Sequence, residues 1–173
     1  MSVKVLLHQE VHVSYHQIYV ESSEATIEGD VNGAFLGQVN GLCGAGIPGT
    51  LLMFTGTHTG RIGFTVELHR DRPTLPGVWE DAVEVSFTTD SDGLELVECC
   101  GDRYPLDLPD GDYRVRYSAR GMTEGHQGGV PQEGQPPWDH YLLQFWPAPP
   151  APDRVTRMTT EHAEYWHKSA RAR

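Results

Sequence analysis

Glu10-Val11-His12-Val13-Ser14-Tyr15-His16-Gln17-Ile18-Tyr19-Val20 decides the fold class. Its side chains alternate with period two. Val11, Val13, Tyr15, Gln17 and Tyr19 fall on one face, and His12, Ser14, His16, Ile18 and Val20 on the other, the signature of a strand rather than a helix. Working outward, Thr50 to Thr57 is apolar and Arg61 to His69 alternates through Ile62, Phe64, Val66 and Leu68, with Gly56 to Gly60 between them reading as a hairpin turn. Val83, Val85 and Phe87 share a face, and Asp90-Ser91-Asp92-Gly93 turns the chain into Leu94 and Leu96. Tyr104 to Leu108 reads as an edge strand, Asp110-Gly111 leads into Tyr113, Val115 and Tyr117, and His140 to Trp146 is the last strand.

Eight or nine strands joined by short turns, with no helical pattern before the end of the chain, predict an all-β fold. Two antiparallel sheets packed as a β-sandwich fit best, with a closed barrel as the alternative. Residues 1–147 are expected to form the sandwich, and 148–173 a Pro-rich linker followed by a basic tail, in which Thr160 can cap a short helix through Tyr165, Trp166 and Lys168. Gly121 to Pro137 holds five Gly and three Pro, which predicts an irregular, mobile loop. The Gly-rich stretch near Gly41 lacks the Gly-Lys-Ser/Thr ending of a phosphate loop, so its glycines read as tight-turn residues.

Composition narrows the function. At 38% hydrophobic and 21% charged residues, the 173-residue chain is globular rather than disordered. No run approaches the roughly 18 apolar residues of a membrane helix, and the first residues are too weakly apolar for a signal peptide, so a cytoplasmic location is expected. Cys43, Cys99 and Cys100 match no zinc spacing and read as reduced thiols, the adjacent pair pointing to opposite faces of a strand. Net charge is −11, and residues 80–112 alone hold eleven acids against one base, Arg103. Such a body repels nucleic acid and favours a basic protein partner.

Catalytic and cofactor chemistry find no motif here. His12 and His16 on one strand would lie roughly 13 Å apart, too far to share a metal ion. There is no Gly-x-Ser-x-Gly, and the cysteines have no local partner pattern. No catalytic residue, metal or cofactor is therefore assigned, and binding is expected rather than catalysis. The expected contact surface is acidic: if Val83, Val85 and Phe87 point inward, Glu80 and Glu84 point outward, and Glu95, Glu98 and Asp102 extend that face across neighbouring strands. Tyr15, His16 and Gln17 form a second candidate, a polar recognition spot beside an aromatic face. The competing reading is a small-ligand or carbohydrate-binding sandwich with Trp79, Trp138, Tyr141 and Trp146 as stacking platforms. An enzyme is the third, requiring a convergent His/Asp/Glu set in one cleft.

Ser14-Tyr15-His16-Gln17 in an early strand, and Leu106-Asp107-Leu108-Pro109-Asp110-Gly111-Asp112-Tyr113 before a late one, resemble the ComJ or Nin family of competence proteins. Members of that family inhibit a nuclease that acts in DNA uptake. The resemblance implies an acidic, non-enzymatic inhibitor or immunity-type protein that neutralises a basic nuclease or toxin. It carries no binding residue over to this chain, and the Gly121 to Pro137 loop and the basic tail depart from the pattern.

Overall fold

The computed structural model describes residues 2–90 and 92–173. The chain runs β1 (Val3–Val13), β2 (Gln17–Glu21), α1 (Val31–Ala34), β3 (Cys43–Gly44), β4 (Leu51–Phe54), β5 (Gly60–His69), β6 (Asp81–Thr89), β7 (Glu95–Glu98), β8 (Arg103–Pro105), β9 (Gly111–Arg120), α2 (Met122–Gly128), β10 (His140–Pro147), β11 (Arg154–Arg157) and α3 (Glu161–Arg171). Six strands in the order β1-β5-β10-β9-β6-β11 form one sheet, and five in the order β3-β4-β2-β7-β8 form the other. The fold is an all-β sandwich. The expected eight or nine strands become eleven among the described residues, partly through the two-residue β3 and the four-residue β11. Every pairing is antiparallel except β5 with β10, which are parallel and joined by the long route through β6 and β9.

Alternation explains the core. Ile62, Phe64 and Val66 of β5, Val83, Val85 and Phe87 of β6, Val115, Tyr117 and Ala119 of β9, and Tyr141, Leu143 and Phe145 of β10 all point inward and are buried. They meet Ile18, Val20, Leu51, Met53 and Leu96 from the smaller sheet. Each large side chain so buried contributes about 2–3 kcal/mol by leaving water.

The opening stretch does not run as one strand. Ser14 pairs with Gln17 across a two-residue turn in which Tyr15 and His16 have φ of 55° and 62°. Left-handed backbone at both central positions is what such a turn requires, and it is costly for residues with a Cβ. Long-range bonds hold it: the His16 amide donates to the His58 carbonyl at 2.9 Å, and the Thr55 amide to the His16 carbonyl at 2.9 Å. The turn shifts the buried parity from Val11 and Val13 to Ile18 and Val20.

Two segments expected to be irregular gain structure. The Gly/Pro stretch carries α2, whose Gly125 packs against Asp139 and Thr57 where a Cβ would collide. The Pro-rich stretch, expected to be a linker, lies along the larger sheet, where Arg114 donates to the carbonyls of Ala151 (2.7 Å) and Pro152 (2.6 Å). β11 then pairs with β6, and Thr160 caps α3 by accepting from the Ala163 amide at 3.2 Å. Gly41 lets α3 approach closely: a Cβ there would overlap the Trp166 carbonyl. Its role is close packing. Cys99 and Cys100 lie beyond the end of β7, and their sulfurs are 3.9 Å apart rather than on opposite faces. Among the described residues no helix is long and apolar enough to cross a membrane.

Candidate functional site

The acids expected to form one face are divided between the two sheets. Glu84 lies on β6 of the larger sheet, while Glu95 and Glu98 lie on β7 of the smaller one. Glu84 does point away from the core, but it is only 2% exposed. Its carboxylate takes Arg72 at 2.8 Å, Arg116 at 3.2 Å and Arg154 at 3.2 Å, with Arg114 at 3.9 Å. Burial would raise its pKa, but the Arg72 hydrogen bond and the charges of Arg72, Arg116 and Arg154 outweigh that and hold it low. Glu98 is also buried, accepting from the amides of His12 (2.9 Å) and Asp102 (3.0 Å) and from the Tyr104 hydroxyl (2.6 Å). Glu95 pairs with Arg103 at 3.0 Å. Only Asp102 is an exposed acid of that set. The single electronegative face across neighbouring strands is therefore not formed, because loops and arginines cover or neutralise its strand positions.

A group of exposed acids stands at one end of the sandwich, while others, Asp102, Glu124 and Glu161 among them, are exposed elsewhere. Thr88 pairs with Asp112 and Thr89 with Gly111, so Asp90 and Asp110 leave adjacent strand ends together. Asp90, Asp110 and Asp112 are exposed, and the Thr88 hydroxyl donates to Asp112 at 2.6 Å. Glu24 stands across a cleft of 440 Å³ lined by Thr88 and Asp90. Among the described residues none of these four acids is ion-paired to lysine or arginine, while Asp107 nearby is held by Lys4 at 2.5 Å. Turns supply Glu24, Asp90 and Asp110, the first residues of β9 supply Asp112, and the pairing of β6 with β9 brings the three aspartates together.

The opposite end carries histidines. His16 from the β1–β2 turn, His58 from the β4–β5 turn, His126 of α2 and His162 of α3 converge, with ring centroids 4.7–6.0 Å apart in four contacts. Trp166 stacks on Phe54 at 4.0 Å and meets His16 at 5.7 Å. His16, Glu80, His126, His162 and Trp166 line a cleft of 750 Å³. Two of the expected residues, Glu80 and His16, thus line one hollow. Exposed Tyr15 stands beside His58, whereas Gln17 turns to accept the Tyr19 hydroxyl at 2.6 Å. Sequence spacing missed His58, His126, His162 and Trp166, which come from three separate segments, the β4–β5 turn, α2 and α3.

Hydrogen bonding fixes the tautomer of His16. His16 Nδ1 donates to the Thr55 carbonyl at 2.9 Å, which leaves its Nε2 lone pair free. His162 Nε2 lies 3.0 Å from the Trp166 indole nitrogen and 3.4 Å from the Thr55 carbonyl. Burial lowers the pKa of His162 to about 4, with His126 and His16 adding to it against the Thr55 carbonyl and Asp81. Burial lowers His16 as well, with His58 and His126 adding and the Thr55 carbonyl opposing. With its pKa near 4, the His162 ring is uncharged at neutral pH. Among the described residues no group of three or more His, Cys, Asp or Glu side chains is placed to hold a metal ion.

Of the four aromatic residues of the ligand-binding reading, Trp79 and Tyr141 line one cleft of 590 Å³, and Trp138 and Trp146 are not part of its lining. Tyr141 and Trp146 are buried, Trp146 beneath the Arg116 guanidinium at 5.6 Å. Trp79 lies under Arg120 at 5.8 Å, and Trp138 donates from its indole to the Gly129 carbonyl at 3.1 Å.

No protein-family model and no curated protein matches the chain. Two solved structures are similar to it. One is the crystal structure of ComJ, inhibitor of the DNA degrading activity of NucA, from Bacillus subtilis, at 20% identity and a TM-score of 0.58, covering 86% of this chain and 100% of that one. The other is described as crocagin biosynthetic gene J, at 16% identity and a TM-score of 0.53, with the same coverage. At these identities the likeness is one of fold, and it agrees with the resemblance read from Ser14–Gln17 and Leu106–Tyr113: the chain shares its sandwich with ComJ.

Proposed function

We propose that this protein acts by binding, as an inhibitor that docks its acidic end onto the basic nucleic-acid channel of a nuclease. The observation that carries the reading is the set of carboxylates at Glu24, Asp90, Asp110 and Asp112, none ion-paired to lysine or arginine among the described residues, on a fold that spans the whole of a nuclease inhibitor. A nuclease channel is lined with cations that neutralise phosphates. Carboxylates on adjacent strand ends occupy such a channel in the manner of a nucleic-acid backbone, and the net charge of −11 speeds encounter with it. Glu84 and Glu98 have another part here: they hold the scaffold. Of the five acids expected from sequence, Asp102 is exposed and Glu80 and Glu95 are partly exposed, Glu95 being paired with Arg103.

The inhibition reading is tested by adding purified protein to a panel of DNA-degrading nucleases that includes NucA and following loss of intact DNA. Stoichiometric protection of DNA from at least one basic nuclease supports it. Undiminished degradation across the panel at excess protein contradicts it.

A further inference from the structure

The cleft at the histidine end has a one-sided chemistry. Its polar lining includes the carboxylates of Glu80 and Glu161, the free Nε2 lone pair of His16, and the neighbouring rings of His126 and His162, with no lysine or arginine. Glu80 uses one oxygen to accept the Gly121 amide at 2.7 Å, which positions the carboxylate at the wall. The positive end of α3, which would oppose a cation, is already answered by Asp81: its carboxylate accepts the Thr159 amide at 2.8 Å, the Thr160 amide at 3.2 Å and the Thr160 hydroxyl at 2.7 Å. Trp166 gives the hollow a π surface, fixed in place by its stack on Phe54.

Acceptors, carboxylates and an indole together suit a planar cation. A guanidinium can lie against an aromatic ring while its five N–H groups reach surrounding acceptors, which a compact ammonium does less well. We infer that this cleft seats an arginine side chain presented by a polypeptide, the guanidinium resting by Trp166 and donating to Glu80, Glu161 and His16 Nε2. The site is separate from the acidic end. It draws on the inhibitor reading only for the source of the arginine, a basic protein partner.

The test is NMR titration of the ¹⁵N-labelled full chain with acetyl-Gly-Arg-Gly-amide, following the His16, His126 and His162 ring signals and the Trp166 indole. Saturable shifts at these four residues are expected, with the citrulline counterpart at least about tenfold weaker because it lacks the charge. Glu80→Gln and Glu161→Gln are each expected to weaken binding about threefold, the range of a partly solvated ion pair; Glu161 is exposed, so its variant folds as the parent does. Equal binding of the citrulline peptide, no shift up to the solubility limit, or unchanged affinity in both variants would each overturn the site. Free arginine binding as tightly as the peptide would overturn the polypeptide as source. None of these outcomes depends on nuclease inhibition, so the two readings fail separately.

Discussion

Arg116 and Glu84 form a 3.2 Å salt bridge with side chains 1% and 2% exposed, on the side of the larger sheet that faces away from the core. The Arg116 guanidinium also donates to the carbonyls of Pro73 (3.0 Å) and Thr74 (3.2 Å), so the loop before β6 is fastened over the sheet. Arg114 fastens the Pro-rich segment in the same way. One carboxylate thus stands among four guanidiniums, and two loops close over it.

Removing that carboxylate leaves buried cations without a counter-charge. Glu84→Ala is expected to destabilise the protein by about 3–5 kcal/mol, since losing one member of a buried pair costs more than the pair is worth. Urea denaturation followed by circular dichroism measures it. A change below about 1 kcal/mol would mean the arginines are satisfied without Glu84.

Asp139 is the second internal anchor. Fully buried, it accepts the Thr57 amide (2.9 Å), the Thr57 hydroxyl (2.6 Å) and the Tyr141 hydroxyl (2.5 Å), and Tyr141 in turn accepts the Gly56 amide at 2.7 Å. Asp139→Ala orphans these donors, and a loss of about 2–4 kcal/mol is expected from the unmet hydrogen bonds. Because Thr57 and Gly56 carry the His58 turn, amide exchange of residues 55–60 should accelerate in the variant more than exchange in β9.

The histidine end predicts acid sensitivity of a definite sign. His16 and His162 take up protons less readily folded than unfolded, His162 down to about 4 from an ordinary 6.5. The unfolded chain therefore binds more protons between those values, and stability present above pH 6.5 is lost as pH falls toward 4. Buried His167 and partly buried His140 act in the same direction. The loss from His162 is on the order of 1–3 kcal/mol, discounted for its partial exposure. Glu84 and Glu98, held low, lose their contribution only below their ordinary carboxylate range, so the two effects occupy separate windows. Thermal melts from pH 7 to pH 4 should fall steadily in the parent and less steeply in His162→Gln; parallel slopes would remove His162 as the cause.

Much of this architecture is legible in the residue pattern. The alternation of Val83, Val85 and Phe87, and of Ile62, Phe64 and Val66, places strands and their inner faces correctly, because a half-buried strand needs that period. Thr160 likewise announces the start of α3. The turn at Tyr15–His16 is not legible, since it has no Gly, Asn or Asp and exists only because His58 and Thr55 bond to it across the fold. Alternation put Glu84 outside the core, yet nothing local says that Pro73, Thr74 and four arginines bury it there. The histidine cleft is assembled from segments as far apart as His16 and His162. Local periodicity carries no information about such a meeting.

The central claim is that exposed carboxylates at the β6 and β9 strand ends, not the buried strand carboxylates, contact a basic nuclease. Its most direct measurement is the salt dependence of nuclease inhibition by the parent protein and by a triple variant, Asp90→Lys, Asp110→Lys and Asp112→Lys, in a fluorescent DNA-degradation assay. The expected result is inhibition that weakens as salt rises in the parent, and a variant at least about tenfold weaker with a flatter salt profile, because the steering charge has been reversed. Equal potency and equal salt dependence of the two proteins, with the variant folded by circular dichroism, would contradict it.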